Sequence, residues 1–319
     1  MAVAALLDQL PNPPRGPFFS AFLSAQGRIL HDVFVYPKKN TRRHDGYLIE
    51  YDSRPSEAPP LQASLERFIL RSKVKIEDVS NQYDVWSVWG SESTQELRRW
   101  SFARSGVIEP QWGLEQWPWF DGGKERLSLR DSRAMGMGKR VVVNKGDKPE
   151  ETATHDTAEH DAYTLHRILH GIPEGIIDMP PTQAFPMESN LDIMGGLDFR
   201  KGCYVGQELT VRTYHTGVVR KRILPVQITK SDGKATSPEE YLSLVHSDVR
   251  TSVVERPDGL STRLRGHGKL LSIMQGVGLA LMRLEHVDMA ERGLLEFRVD
   301  ETWDISHWRP SWWPKQDRE

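Results

Sequence analysis

The stretch DFRKGCYVGQE, residues 198–208, is the most informative part of the chain, because it contains Cys203, the only cysteine among 319 residues. Gly202 and Gly206 flank this cysteine and its two neighbours, so the backbone here can turn tightly or approach another group closely. A single cysteine excludes an intrachain disulfide and any CxxC zinc or redox site. The segment predicts a tight loop built around one thiol.

The residues that follow the loop, QELTVRTYH from Gln207 onward, predict a short helix. Cys203 then precedes a helix N-terminus, where the macrodipole and the cations of Arg200 and Lys201 favour the thiolate. A thiolate is suited to bind a metal or attack an electrophile. The alternative, a small buried hydrophobic residue, stays open. His215 lies two or three helical turns away, too far to serve as the base for Cys203 on a straight helix.

Other metal sites have weaker support in the sequence. His166 and His170 have the i, i+4 spacing of a zinc pair, but no HExxH motif accompanies them, so a chance pair is the favoured interpretation. An iron–sulfur cluster needs about four thiolate or imidazole ligands. This chain cannot hold an all-cysteine cluster alone, and a cluster at Cys203 would take most of its ligands from a partner.

Composition excludes some classes of partner. The chain has 42 basic and 44 acidic residues and a formal net charge of -2, which argues against a nucleic-acid-binding surface. No apolar run approaches the roughly 18 residues of a membrane span. The N-terminal stretch MAVAALLDQLPNPPRG has neither the pattern of a signal peptide nor that of an Arg-rich transit peptide.

Upstream of the loop, the pattern predicts an α+β region over residues 1–216, with two subdomains as an option. It contains a hairpin that turns at Gln26-Gly27, a strand at 46–51 and strands around a glycine-containing turn. An amphipathic helix over 61–72 and a strand at 74–76 are also predicted. The polar, acidic stretch 145–161 predicts a mobile surface loop.

Downstream of the loop, the pattern changes to short strands separated by turns. Segments such as VVRKRILPVQI and GLLEFRVD are typical of an all-β unit. We therefore predict a second domain over residues 217–319, most simply a C-terminal β-barrel.

Together these residues resemble a known family. The motif KGCYVGQE closely resembles the defining motif of the YgfZ-type, folate-binding iron–sulfur assembly proteins, which are relatives of the glycine-cleavage T-protein, an aminomethyltransferase. Flanking stretches in the same order carry the resemblance further: FLSAQGRILHDVFVY (22–36), DSRAMGMGKR (131–140) and GKLLSIMQGVGLALMR (268–283). The resemblance thus covers most of the chain.

The resemblance implies a T-protein-like α+β fold, with mixed α/β sheet domains around a central channel that admits a folate-like pterin, plus the C-terminal barrel. It implies a role in the mitochondrial matrix, late in iron–sulfur assembly. There such proteins work with A-type carrier proteins to mature four-iron clusters. We expect no nucleic-acid partner, no membrane span and a monomer when the chain is alone.

The resemblance also implies site residues. Cys203 becomes a ligand of a 2Fe–2S cluster shared with the partner, within a motif that includes Lys201, Gly202, Tyr204, Gly206, Gln207 and Glu208. Glu188 matches the carboxylate that holds the pterin ring of tetrahydrofolate, although a capping acid is an equal alternative for it. The expected folate pocket is completed by Asn190, Asp192, Asp32 and Arg212.

This chain departs from the family pattern at two places. Transferase relatives carry paired aspartates where this chain has His31-Asp32, so aminomethyl transfer is not expected. Only MAVAALLDQL precedes the first hairpin, where the family has an earlier strand and helix, so a trimmed N-terminus is expected. Three functions remain open: an assembly factor that shares a cluster, a folate-dependent aminomethyl transferase, and a scaffold with an inert motif.

Overall fold

The computed structural model describes residues 16–38, 46–71, 73–90, 99–112, 118–119, 127–254 and 266–315. It begins with an antiparallel sheet of strands β1 (Phe18–Leu23), β2 (Ile29–Lys38) and β3 (Gly46–Tyr51), in that order. The β1–β2 turn passes through Gly27, whose φ of 72° is in the left-handed region that favours glycine. The predicted hairpin and third strand are confirmed.

Helix α1 (Leu61–Glu66) covers one face of this sheet. Leu61 and Leu65 are buried in an apolar cluster with Phe22, Val33 and Val35. The prediction that the helix continues to residue 72 is wrong, since the backbone N–H of Phe68 bonds to the carbonyl of Leu65 at 3.0 Å in a tighter turn. The predicted strand at 74–76 is also wrong, because this stretch has no strand pairing.

Two further antiparallel units follow. They are built from β4 (Tyr83–Val88), β5 (Arg99–Phe102), β6 (Ile108–Gln111), β7 (Leu127–Arg130) and β8 (Lys139–Asn144). Strands β4, β8 and β7 form a sheet in that order, and β5 pairs with β6. Buried charges join the first two sheets: Arg140 on β8 pairs with Glu50 on β3. Arg133 pairs with Asp131 at 2.6 Å and with Glu174 at 2.7 Å.

The stretch 145–161 lies at the surface, as predicted, but it contains a 3-10 helix at Glu150–Ala153. Glu151 pairs with Lys139 at 2.6 Å, which ties this stretch to β8. Three helices follow in the chain: α2 (His160–Leu169), α3 (Gly175–Asp178) and α4 (Gln207–Thr216). Across the described ranges, no helix is both long enough and apolar enough to cross a membrane.

The C-terminal part is a closed barrel, which confirms the predicted architecture. Its elements are β9 (Lys221–Lys230), α5 (Pro238–Ser243), β10 (Asp248–Val253), β11 (Gly268–Met274), β12 (Val277–Arg283), α6 (Leu284–Glu291), β13 (Leu295–Val299) and β14 (Trp303–His307). The strand order around the barrel is β10-β11-β12-β9-β14-β13. Because side chains on a strand alternate between its two faces, Leu224, Val226 and Ile228 of β9 share one face, and all three belong to the main buried core.

One buried ion pair joins the α+β region to the barrel, and a second pair, within the α+β region, reaches the barrel through a backbone hydrogen bond. Arg222 on β9 contacts Asp192 at 2.5 Å, and Arg167 on α2 contacts Asp178 on α3. Asp178 also accepts a hydrogen bond from the backbone N–H of Ser272 on β11, at 2.9 Å. Buried charges are tolerated only when they are paired and hydrogen-bonded, so these contacts specify how the two parts meet.

Candidate functional site

Cys203 is exposed and lies in the loop just before α4. It opens onto a cavity of about 560 Å³, whose lining residues are Cys203, Tyr204, Gln207, Glu208, Val211, Arg212, His215 and Thr216. The helical members recur every three or four residues, so they form one face of α4. The predicted helix is confirmed, and the alternative of a small buried hydrophobic residue is wrong, because Cys203 is exposed.

Gly206 allows this loop to pack closely against the first hairpin. Its φ is 82°, and a Cβ added there would lie 2.5 Å from the Ser24 carbonyl oxygen, 2.9 Å from the Leu23 Cβ and 3.0 Å from the Gly27 Cα. Only a residue without a side chain permits this approach. The motif loop therefore rests on the β1–β2 turn, and its position is set by the hairpin.

Other motif residues hold the loop from within. The Gln207 side-chain oxygen accepts a hydrogen bond from the Tyr204 backbone N–H at 2.9 Å. The Tyr204 hydroxyl lies 2.7 Å from the hydroxyl of buried Thr210, which itself donates to the Gln207 carbonyl. The Lys201 ammonium lies 4.6 Å from the centre of the Tyr204 ring. These contacts give Tyr204 and Gln207 a structural role in presenting Cys203.

The charges at the cavity are mixed. Arg212, Glu208 and His215 are exposed and line it together with the thiol. Burial lowers the pKa of Lys201 to about 8, and the charge of Asp198 opposes this shift. Lys201 thus loses part of its positive charge in mildly alkaline solution. Arg212, on α4, lines the same cavity as the thiol.

Sequence reasoning set His215 aside, yet the structure places it in the same cavity as Cys203. The His215 ring packs edge-on against Tyr214, with ring centres 5.1 Å apart. The helical period could have predicted that His215 lines this cavity, because positions 207, 211 and 215 lie on one face of α4. An imidazole near the thiol adds a second group that can ligate a metal or exchange a proton.

Glu188 lies in the segment between α3 and the motif loop and is half-buried. Burial raises the pKa of Glu188, and the charges of Lys221, Arg28, Arg283 and Arg222 oppose this shift. Within the described residues no hydrogen bond to its carboxylate is found. The structure therefore does not support the capping alternative, and Glu188 is free to accept hydrogen bonds from a ligand.

Asn190 and Asp192, also predicted in the folate pocket, are buried. Asp192 uses both oxygens within the protein: they accept from Arg222 at 2.5 and 2.8 Å and from the Ile108 N–H at 3.0 Å. Asn190 donates to the Ile223 carbonyl at 2.7 Å, and its side-chain oxygen is buried without a protein partner. These contacts give Asp192 a structural role, since a carboxylate whose oxygens already accept hydrogen bonds from the protein is a poor ligand site.

Asp32 lies on β2, in different surroundings. It is buried and accepts a hydrogen bond from the Gly175 N–H at 3.1 Å. Burial and the negative charge of Glu174 raise the pKa of Asp32 to about 6. Arg212 lines the cavity beside Cys203. Of the five residues predicted for folate, the structure brings Glu188, Asn190 and Asp192 together at the start of β9, beside Arg222 and Ile223. Asp32 instead contacts Gly175, and Arg212 is grouped with the thiol.

The histidine pair on α2 makes structural contacts. His166 bonds to the Gly136 carbonyl at 3.1 Å and stacks on Trp89, with ring centres 4.7 Å apart. The Nδ1 atom of His170 contacts the His166 carbonyl at 2.9 Å. In the described part of the chain, no group of three or more histidine, cysteine, aspartate or glutamate side chains is arranged to hold a metal ion.

An α+β region followed by a closed six-stranded barrel is a T-protein-like fold. The family model described as "CAF17, C-terminal beta-barrel domain" matches residues 220–315. Among curated proteins, the mitochondrial iron–sulfur cluster assembly factor IBA57 homolog of Cryptococcus neoformans is 41% identical over 86% of this chain and 75% of its own length.

Homologs with the same name show similar coverage. The one from Coccidioides immitis is 37% identical over 85% of this chain and 63% of its own length. The one from Mycosarcoma maydis is 34% identical over 96% of this chain and 76% of its own. The chain therefore belongs to the family of mitochondrial iron–sulfur cluster assembly factors, and the predicted mitochondrial location is confirmed.

Proposed function

We propose that this protein works in the mitochondrial matrix with an A-type carrier protein, sharing a 2Fe–2S cluster with it through Cys203 during four-iron cluster maturation. One observation carries the proposal: the only thiol of the chain is exposed at an open cavity. A single thiolate supplies one of the roughly four ligands that a cluster needs. The carrier supplies the others, so the cluster itself joins the two proteins.

The cavity suits such a shared cargo. Cys203 precedes the N-terminus of α4, where the helix dipole favours an anionic ligand, and Arg212 adds a positive charge. Gly206 holds the loop against the hairpin, so the thiol is presented from a supported position. Contacts around Tyr204 and Gln207 leave the thiol itself free of competing hydrogen bonds within the described residues.

The Cys203→Ser variant should lose the coloured complex with an A-type carrier, because a serine hydroxyl remains protonated where a thiolate ligates iron. Its melting temperature should stay close to that of the wild type, since Cys203 is exposed. Size-exclusion chromatography with visible absorbance measures the complex. Glu208→Gln, a change in the same cavity that keeps the thiol, is the matched control. An undiminished coloured complex with Cys203→Ser would rule out the cluster-sharing role.

A folate site is the second candidate function, and Glu188 favours it. The residues fit a pterin only in part: Glu188 offers a half-buried carboxylate, whereas Asp192 is occupied by Arg222. A free carboxylate accepts two parallel hydrogen bonds from an aminopyrimidine edge, which is the part that Glu188 would play for tetrahydrofolate.

Saturating tetrahydrofolate should raise the melting temperature of the wild-type protein by ligand linkage. The Glu188→Gln variant should show a smaller shift, because the amide replaces one acceptor with a donor. Differential scanning fluorimetry measures both shifts, and Glu208→Gln controls for loss of a carboxylate elsewhere. Equal shifts for wild type and Glu188→Gln would exclude this carboxylate from the site, and no shift at all would exclude the pterin.

A further inference from the structure

The segment after α1 is exposed between two residues that pack on the first sheet. Leu65 and Ile76 both pack in the apolar cluster on the first sheet. Between them, residues 67–71 and 73–75 are exposed, except for half-buried Ile69; residue 72 lies outside the described residues. We refer to residues 67–71 and 73–75 as the 67–75 loop.

Three large apolar side chains of this loop face solvent. Phe68 is 40% exposed, Leu70 is 75% exposed and Val74 is 51% exposed. They lie in stretches predicted to form a helix and a strand, but the chain forms neither element here. Single exposed apolar residues are common on protein surfaces, whereas three within seven positions of one loop call for an explanation.

The same loop is strongly basic. It carries Arg67, Arg71, Lys73 and Lys75 in a chain whose formal net charge is -2. Lys75 pairs with Glu77. The other three cations have no ion pair within the described residues, so their charge is available to a partner.

The acidic neighbours of the loop are engaged locally. Glu66 accepts a hydrogen bond from the Gln62 amide at 2.9 Å. Asp78 accepts from the Ser80 hydroxyl at 2.6 Å and from its backbone N–H at 2.9 Å. These hydrogen bonds leave the carboxylates charged, so the four cations of residues 67–75 are flanked by three negative side chains, Glu66, Glu77 and Asp78. The positive charge is concentrated on the loop itself, together with its exposed apolar side chains.

We propose that the 67–75 loop binds reversibly to the surface of an anionic lipid bilayer. Apolar side chains enter the boundary between headgroups and acyl chains, while the surrounding cations are attracted to anionic headgroups. At 75% exposure, Leu70 stands out from the surface, whereas a docking groove for a protein segment would enclose its lining side chains. This inference is independent of the thiol and of the function proposed for it.

The test is co-sedimentation of the full chain with vesicles of phosphatidylcholine and phosphatidylglycerol in a two-to-one ratio, compared with pure phosphatidylcholine. The wild type should bind the anionic vesicles at low salt and be released at high salt, because screening weakens attraction to headgroups. The Arg71→Gln/Lys73→Gln variant should bind about 30-fold more weakly, given the contribution of each basic residue near such a surface. Phe68→Ser/Leu70→Ser should bind at least about tenfold more weakly.

Leu242→Ser is the matched control. Leu242 is 64% exposed, but it lies on α5 beside the acidic Glu239 and Glu240, so its loss should leave vesicle binding unchanged. Because the changed side chains are exposed, all variants should keep the wild-type melting temperature and still form the coloured complex with a carrier. Absence of wild-type binding to anionic vesicles, equal binding to neutral vesicles, or unchanged binding by both loop variants would each overturn the proposal.

Discussion

Replacing Arg222 by methionine is expected to lower the free energy of unfolding by about 3–5 kcal/mol, because the change leaves a carboxylate buried without its counter-charge. Arg222 and Asp192 are both buried, and the guanidinium also donates to the Met187 carbonyl at 2.7 Å and the Gly106 carbonyl at 2.8 Å. One side chain therefore joins β9 to two segments of the α+β region. Urea unfolding followed by tryptophan fluorescence measures the loss.

Two comparisons separate this effect from a general loss of charge. Arg298→Gln removes a cation from an exposed pair with Asp304, and it should change the free energy of unfolding by less than about 1 kcal/mol. The double variant Arg222→Met/Asp192→Leu should recover part of the loss, since it no longer buries a lone charge. A loss for Arg222→Met no larger than that for Arg298→Gln would contradict the buried-pair interpretation.

Replacing Gly206 by alanine should destabilise the protein by roughly 3 kcal/mol, through left-handed strain and steric overlap together. The new methyl group would lie 2.5 Å from the Ser24 carbonyl oxygen, so the loop must move away from the hairpin. The moved loop would no longer hold Cys203 in its present position. We expect this variant to form less of the coloured complex as well as to unfold at lower urea concentration.

Gly233→Ala provides the control for backbone strain alone. Gly233 has a φ of 70°, and a Cβ added there would meet nothing within 4 Å. Its replacement should cost about 1 kcal/mol, and complex formation should be unaffected. Equal losses for the two variants would show that contact with the hairpin contributes nothing, and the account of how the motif loop is positioned would be wrong.

Local patterns in the sequence were sufficient for much of the fold. The hairpin at Gly27, the helix from Gln207 and the C-terminal barrel depend on alternation, turn residues and helical period, all of which are read over short windows. The exposed position of Cys203 was also consistent with its glycine and charged neighbours. The helical period further carried an unused signal, the placement of His215 on the face of α4 that Cys203 opens onto.

Long-range partners could not be predicted in the same way. Asp192 was predicted to contact folate because it belongs to a family motif, and its ion pair with Arg222, 30 residues away along the chain, could not be read from that motif. Helix α1 ends at Glu66, and Leu61 and Leu65 are buried against the sheet whereas Phe68 is 40% exposed. Which side chains are buried and which charges pair depends on the assembled molecule, so neither can be predicted from a short stretch of sequence.

The strand order of the barrel has a consequence for synthesis. Strand β14 closes the barrel by pairing with both β13 and β9, so Trp303 lies opposite Lys230. Until β14 has left the ribosome, β9 and β13 each have an unpaired edge, and such edges are templates for aggregation. A premature stop codon just before Trp303 would make that exposure permanent. The truncated protein would still contain Cys203 and the residues of its cavity. We nevertheless expect such an allele to give no functional protein, because the product would aggregate and be degraded.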